Sequence, residues 1–211
     1  MLAISGKFIF YQMVLQISNL GQHLLQKKEE KITIVYTGNM GIAQDIDSLF
    51  HLAKSFQMNK KVRFLLIGYG RNYMEIQQKI KEKGFENIII KPPESRKRVW
   101  KRLQEADIAY IGLKEHPVFE TVIPGKVIDY MGASLPIIGV ASGYSKRIIE
   151  EAHSGVVFHK EDQHEITEKL AGLIESQELR KFYGKNGNEY AHQNFNWQTN
   201  KGLLYKFIFE D

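Results

Sequence analysis

Cysteine is absent from this sequence of 211 residues, and its absence excludes several kinds of chemistry. Without thiols the chain can form neither a disulfide framework nor a thiolate nucleophile nor a zinc site with cysteine ligands. Proline is also scarce, with five residues, and no Pro/Ser-rich linker or internal repeat divides the chain. We therefore expect one domain of ordinary size and a cytoplasmic location.

Long apolar runs are missing as well. The stretch over residues 8–20 is interrupted by Gln12, Gln16, Ser18 and Asn19. It falls short of the roughly 20 apolar residues that a membrane-spanning helix needs. No small-residue cleavage pattern follows it, so we do not interpret it as a secretory signal either.

The charge balance is moderately basic, with 29 Lys and Arg against 24 Asp and Glu and a net charge of +5. Such a balance favours anionic partners such as phosphates, anionic lipid headgroups or nucleic acid, and composition does not choose among them. The densest basic stretch, residues 96–102, falls on a predicted helix whose apolar residues Val99, Leu103 and Ala106 take another face. A solvated helix face and a membrane or ligand contact both account for it.

From residue 31 onward, short runs of apolar and β-branched residues alternate with helical patterns. Runs of this kind predict buried parallel strands. Six βα units predict an α/β fold: one Rossmann-like, doubly wound parallel sheet of about six strands with helices on both faces. Its ligand crevice should lie beyond the carboxyl ends of the strands. The predicted strands are residues 32–36, 62–67, 88–90, 108–111, 136–140 and 155–158.

Two appendages flank this domain, which we place at residues 31–196. Residues 1–30 carry apolar side chains at near-helical spacing and predict an amphipathic helix. Residues 197–211 predict a second helix with Leu204, Phe207 and Ile208 on one face. Pairing of the two helices and docking to another protein both account for these apolar faces.

Helix boundaries and packing anchors are predicted near the C-terminal end of the domain. The Asn186-Gly187 pair is typical of a turn, and the aromatic segment at residues 195–197 is typical of a packing anchor.

Glycine-rich turns follow the first two predicted strands, T-G-N-M-G at residues 37–41 and I-G-Y-G-R at residues 67–71. Glycine at a strand-to-helix turn lets backbone N–H groups approach an anion at the helix N-terminus. Arg71 adds a cation that either meets a phosphate or is solvated. Each turn alone is a weak signal, because such turns also serve tight packing and neither matches a P-loop. Parallel strands would bring both turns to one crevice.

The most informative stretch is F-E-T-V-I-P-G-K-V-I-D-Y-M-G-A-S-L-P at residues 119–136. Pro124 pre-sets the first turn of a helix, Gly125 admits close approach, and Lys126 supplies a cation where free N–H groups attract anions. Asp129 lies one turn further on the same face, where its carboxylate is a candidate acceptor for ribose hydroxyls. A local surface ion pair between Lys126 and Asp129 is the competing interpretation.

One further motif, E-A-D-I-A-Y, lies at residues 105–110. Together these motifs resemble the C-terminal domain of glycosyltransferase family 4, also called group 1. The resemblance lies in their order and spacing and covers about residues 31–200. Within that family the motifs resemble notably the bacterial capsule, O-antigen and exopolysaccharide enzymes. The resemblance implies half of a GT-B fold and a retaining, metal-independent transfer of sugar from a nucleoside diphosphate sugar. We expect no cofactor, metal or nucleic acid. The expected partners are a nucleotide sugar and the inner face of the cell membrane, which the protein would contact peripherally.

The resemblance also implies which residues hold the donor. Residues 38–41 would face the donor phosphates and sugar, residues 121–126 would offer N–H groups and charge to the pyrophosphate, Asp129 would reach the ribose, and residues 91–93 would border the base. No catalytic residue is assigned. The candidate donor-binding residues are Gly38, Asn39, Gly41, Gly68, Gly70, Arg71, Lys91, Pro92, Thr121, Val122, Ile123, Pro124, Gly125, Lys126 and Asp129.

Two departures from the family pattern matter. The paired glutamates of the broader family correspond here to Thr121 and Asp129; members with a P-x-K segment also lack the first carboxylate, and the shorter aspartate weakens the expectation of ribose contact. Family members also carry an N-terminal Rossmann-like domain, whereas only about 30 residues precede the first strand here. We therefore expect the donor-binding half of an enzyme completed by a separate acceptor-binding chain. The alternative is a non-catalytic nucleotide-sugar-binding or scaffold module.

Overall fold

The computed structural model describes residues 31–196, 200–202 and 205, without the side chains of Val118 and Phe119. Six strands, each parallel to its neighbours, form one sheet in this part of the chain. They are β1 (Ile32–Asn39), β2 (Val62–Tyr69), β3 (Ile88–Lys91), β4 (Ile108–Gly112), β5 (Ile137–Val140) and β6 (Gly155–Phe158). Their order across the sheet is β3-β2-β1-β4-β5-β6, which confirms the predicted doubly wound fold.

Helices cover both faces of the sheet. They are α1 (Asp47–Ser55), α2 (Tyr73–Glu82), α3 (Arg96–Glu105), α4 (Gly125–Gly132), α5 (Gly143–Glu151), α6 (Gln163–Glu175) and α7 (Gln177–Asn194), with a short 3-10 helix at Pro117–Thr121. Side chains of α1, α2 and α6 share one core with Ile34 and Tyr36, whereas those of α3, α4 and α5 share the other with Val35, and α7 contributes side chains to both. This division follows from the alternation of side chains along β1, which sends successive residues to opposite faces.

The first two strands run further than the sequence pattern predicts. Gly38 and Gly68 are paired residues of β1 and β2 and belong to the strands, not to the turns after them. A Cβ on Gly68 would collide with the carbonyl oxygen of Gly38, so glycine allows the two strands to continue side by side. The following helix begins at Asp47, after Gln44, which forms an isolated bridge with Leu113.

The predicted boundary at Asn186-Gly187 is wrong, because α7 runs through both residues. Gly187 serves close packing instead: a Cβ there would lie 2.9 Å from the Cβ of Ser154. The boundary predicted at Phe195 is confirmed, since α7 ends at Asn194.

The predicted N-terminal helix at residues 1–30 lies outside the described residues, as do Leu204, Phe207 and Ile208 of the C-terminal segment. Residues 200–202 and 205 are helical. Within the described ranges, every helix is too short or too polar to cross a bilayer.

Candidate functional site

A cleft of about 280 Å³ opens at the carboxyl ends of β1 and β2, next to the start of α4. It lies where the strand order changes direction between β1 and β4, which is where open α/β sheets bind ligands. Its lining residues are Thr37, Gly38, Asn39, Ile67, Gly68, Tyr69, Pro93, Glu94, Val99, Pro124, Gly125, Lys126 and Asp129.

One hydrogen bond fixes α4 against β1. The backbone N–H of Thr37 donates to the hydroxyl of Tyr130 over 2.9 Å, and both residues are buried. Burial raises the pKa of Tyr130 to about 12, so the hydroxyl is neutral near pH 7. This contact holds the first turn of α4 beside the end of β1.

The first turn of α4 presents backbone donors to the cleft. Pro124 is extended and precedes the helix, and the first helical bond runs from the N–H of Val127 to the carbonyl of Pro124 over 2.9 Å. The N–H groups of Gly125 and Lys126 come before that bond and have no partner within the helix. Both residues line the cleft, so the arrangement suits an anion.

Lys126 places its ammonium group among neutral groups. Its Nζ lies 2.7 Å from Oε1 of Gln44 and 3.1 Å from the hydroxyl of Tyr36. It also lies 4.2 Å from the centre of the Tyr36 ring. Burial lowers the pKa of Lys126 to about 7.

Gly38 lies next to this lysine at the end of β1. Its φ of +110° lies in the region that favours glycine. A Cβ there would lie 3.8 Å from Cε of Lys126, an ordinary van der Waals contact, so the backbone conformation and not space for the lysine explains the glycine.

The competing interpretation, an ion pair between Lys126 and Asp129, is wrong. Asp129 pairs with Arg96 instead, over 3.1 Å between Oδ1 and Nη2. Burial raises the pKa of Asp129, and the guanidinium of Arg96 partly offsets that effect. The side chain of Asp129 is 20% exposed, so the carboxylate remains accessible from the cleft that it lines.

Pro93 and Glu94 line the cleft beyond β3, whereas Lys91 and Pro92 do not. Lys91 is the last residue of β3 and pairs with Ile67 of β2. Oε2 of Glu94 lies 3.5 Å from Nε of Arg102. The chain therefore reaches the cleft one to two residues later than the sequence predicts.

Seven of the fifteen sequence-predicted residues meet in the cleft, and the others lie elsewhere. Ile123 is buried in the core, the carbonyl of Val122 accepts a hydrogen bond from Ser145 over 3.0 Å, and Arg71 is exposed. The residues that line the cleft are Gly38, Asn39, Gly68, Pro124, Gly125, Lys126 and Asp129; those that do not are Gly41, Gly70, Arg71, Lys91, Pro92, Thr121, Val122 and Ile123.

Sequence reasoning did not single out Tyr36, Gln44 or Glu94. Tyr36 lies inside a predicted strand and Gln44 lies shortly after the first glycine-rich turn, where each has an ordinary structural explanation. A polar end on an otherwise apolar strand was the one available signal for Tyr36. In the described part of the chain, no three His, Asp or Glu side chains form a group that could hold a metal ion.

Residues 23–190 match the protein family described as glycosyl transferases group 1. The chain belongs to this family, and its fold is that of the C-terminal domain of a GT-B glycosyltransferase.

Similar proteins agree with this placement. An uncharacterized glycosyltransferase of Methanocaldococcus jannaschii is 23% identical over 164 residues, which are 78% of this chain and 44% of that protein. The structure of a S. aureus TarM variant in complex with Fondaparinux, alpha-GlcNAc-glycerol and UDP superposes with a TM-score of 0.74 at 18% identity, over 92% of this chain and 37% of that one.

A third structure, the C-terminal domain of the group 1 protein LpcC from Francisella tularensis, gives a TM-score of 0.63 at 18% identity. It is matched over 79% of this chain and 87% of its own length. The chain thus spans less than half of the curated relative and most of an isolated C-terminal domain.

Proposed function

We propose that this domain binds a nucleoside diphosphate sugar and serves as the donor-binding half of a retaining glycosyltransferase. The observation that carries the proposal is the meeting of Lys126 with the two free N–H groups at the start of α4, in the cleft at the reversal point of the sheet. A helix N-terminus beside an ammonium group is suited to a pyrophosphate.

The rest of the cleft supports assignments for the remaining parts of the donor. Asp129, one turn after Lys126, lines the cleft, and its carboxylate would accept hydrogen bonds from ribose hydroxyls. Pro93 and Val99 supply apolar surface at the end where a base would rest, and Glu94 supplies an acceptor there. The donor would be held without a metal ion, its charge balanced by Lys126 and the helix.

An acceptor-binding domain would complete the enzyme, on this chain or on a separate one. The reaction would retain the configuration of the donor sugar and contribute to surface polysaccharide synthesis at the cytoplasmic face of the membrane. These assignments rest on the family resemblance. The UDP in the S. aureus TarM complex supports a nucleotide donor.

Calorimetric titration of the full chain with UDP-glucose, GDP-mannose and the free nucleotides tests the proposal. We expect saturable binding that is weakened at least about ten-fold by Lys126→Ala, because loss of a charge-assisted contact costs about 1.5–3 kcal/mol. Lys81→Ala is the matched control, since Lys81 is exposed on α2. Binding without sugar transfer in the presence of any acceptor-binding partner would favour a non-catalytic nucleotide-sugar-binding module.

A further inference from the structure

The ammonium group of Lys126 is held by neutral groups, and each of them is itself fixed. Tyr36 is fully buried, and its hydroxyl donates to the carbonyl of Asn39 over 2.6 Å. Because that donation uses its one proton, the hydroxyl oxygen accepts from Nζ of Lys126 at 3.1 Å.

Gln44 completes the contact from the opposite chain segment. Its N–H donates to the carbonyl of Gly41 over 3.1 Å, and it forms the bridge with Leu113 beyond β4. Its Oε1 receives the closest contact of Lys126, at 2.7 Å. The ammonium group of Lys126 thus contacts β1 through Tyr36 and, through Gln44, the segment that bridges to the residue after β4.

The surrounding ionic groups have partners of their own. Asp45 accepts from Ser48 over 2.6 Å, Asp129 pairs with Arg96, and Glu94 with Arg102. Burial raises the pKa of the neighbouring phenols, which stay neutral. Titratable and charged groups around Lys126 include Tyr36 of β1, Tyr69 of β2, Asp45 and Lys114 beside the Gln44–Leu113 bridge, Glu94 and Arg96 before and at the start of α3, Tyr110 of β4, and Asp129 and Tyr130 of α4.

We propose that Gln44 and Tyr36 are positioning residues that hold the Lys126 amine over the end of β1 without neutralising it, so that donor affinity depends on the proton of this amine. The inference rests on the proposed function of the cleft. An amide acceptor orients the ammonium group and leaves its full charge for the ligand, whereas a carboxylate in the same place would cancel it.

The dependence on pH follows from the buried position. Because burial lowers the pKa of Lys126 to about 7, its protonated fraction falls steeply between pH 7 and about pH 8.5. The pyrophosphate of a nucleotide sugar keeps its charge over that range. Donor affinity should therefore fall about fifteen-fold over this interval and less than about two-fold between about pH 6 and pH 7.

Calorimetric titration of the full chain with UDP-glucose and GDP-mannose at about pH 6, 7 and 8.5 tests the inference, using Gln44→Leu and Gln44→Glu. Loss of the acceptor in Gln44→Leu should lower the pKa of Lys126, so affinity already falls about five-fold between about pH 6 and pH 7. Gln44→Glu should give weaker binding at every pH with a flat profile to above pH 8. Gln78→Leu, at an exposed position of α2, is the matched control and should keep the wild-type profile.

Competitive acetylation of Lys126 with acetic anhydride, followed by mass spectrometry across the same pH range, measures the amine directly and needs no donor. If wild type binds no donor, the proposed function fails. The acetylation profiles of wild type, Gln44→Leu and Gln44→Glu then still test whether Gln44 positions the Lys126 amine. If wild type binds but the pH profile of Gln44→Leu runs parallel to it, and acetylation of Lys126 is unchanged, the positioning role is overturned. A changed profile in Gln44→Glu alone would support it should Gln44→Leu not fold.

Discussion

Replacing Lys126 by methionine should make the protein more stable while weakening its affinity for a donor. Methionine has a similar length and no charge, so it can lie over Gly38 in the space of the lysine stem. The hydroxyl of Tyr36 keeps its hydrogen bond to Asn39, and no buried donor is left without a partner by the change.

The magnitude follows from the pKa of the buried amine. A shift from 10.5 to about 7 means that placing Lys126 in the folded protein costs roughly 4 kcal/mol at pH 7. Methionine removes this cost. It also removes the contacts to Gln44 and the Tyr36 ring, and their loss lowers the free energy of unfolding by about 2 kcal/mol. The expected gain is about 2 kcal/mol in the free energy of unfolding, or about 4–8 °C in Tm for a chain of this size.

The sign of the pH dependence is fixed by the same shift. The unfolded chain binds more protons than the folded one between pH 7 and about 10.5, so wild type gains stability as pH rises through this window. The advantage of Lys126→Met should shrink by about 1.4 kcal/mol per pH unit and approach zero near about pH 9. Urea unfolding of wild type, Lys126→Met and the exposed control Lys81→Met at pH 7, 8 and 9 measures this. A variant less stable than wild type at pH 7, or an advantage that does not change with pH, would refute the reasoning.

Three further predictions concern neighbouring contacts. Asp129→Asn should weaken binding of UDP about ten-fold and leave that of 2′,3′-dideoxy-UDP unchanged in calorimetry, because the lost contact is to the ribose hydroxyls. Tyr130→Phe leaves the buried N–H of Thr37 without its acceptor and should cost about 1–3 kcal/mol in urea unfolding, with the circular dichroism spectrum retained. Gly187→Ala should destabilise by about 1–3 kcal/mol despite the better helix propensity of alanine, whereas Gly172→Ala, with nothing near its Cβ, should stabilise by about 0.5–1 kcal/mol.

The sheet could be predicted from the sequence because its strands are short, apolar and separated by helical patterns. The strand predicted at residues 155–158 has the same bounds as β6, because no turn signal there competes with the pattern of a buried strand. The end of β1 was placed too early, because a glycine near a strand end is equally typical of a turn. Only the pairing of Gly38 with Gly68, a tertiary contact, decides between the two.

The position of Pro124, Gly125, Lys126 and Asp129 in one cleft could also be predicted, because these residues are close together in sequence. The spacing of Lys126 and Asp129 puts both on one helical face, and both line the cleft. Their partners could not be predicted, since Arg96 comes from α3 and Gln44 from the segment before α1. The same spacing also allows an ion pair between Lys126 and Asp129. That pair does not form, because Asp129 pairs with Arg96 and Lys126 contacts Gln44. At Asn186-Gly187 the dipeptide alone indicated a turn, while the space beside Ser154 required a glycine within a helix.

The measurement that tests the central claim most directly is calorimetric titration of the full chain with UDP-glucose and GDP-mannose at about pH 6.5, where the Lys126 amine is mostly protonated. We expect one saturable site for one of the donors, weakened at least about ten-fold by Lys126→Met and unchanged in Lys81→Met. Absence of saturable binding to either donor and to the free nucleotides, or binding that Lys126→Met leaves unchanged, would contradict the assignment of the cleft beside α4 as a donor site.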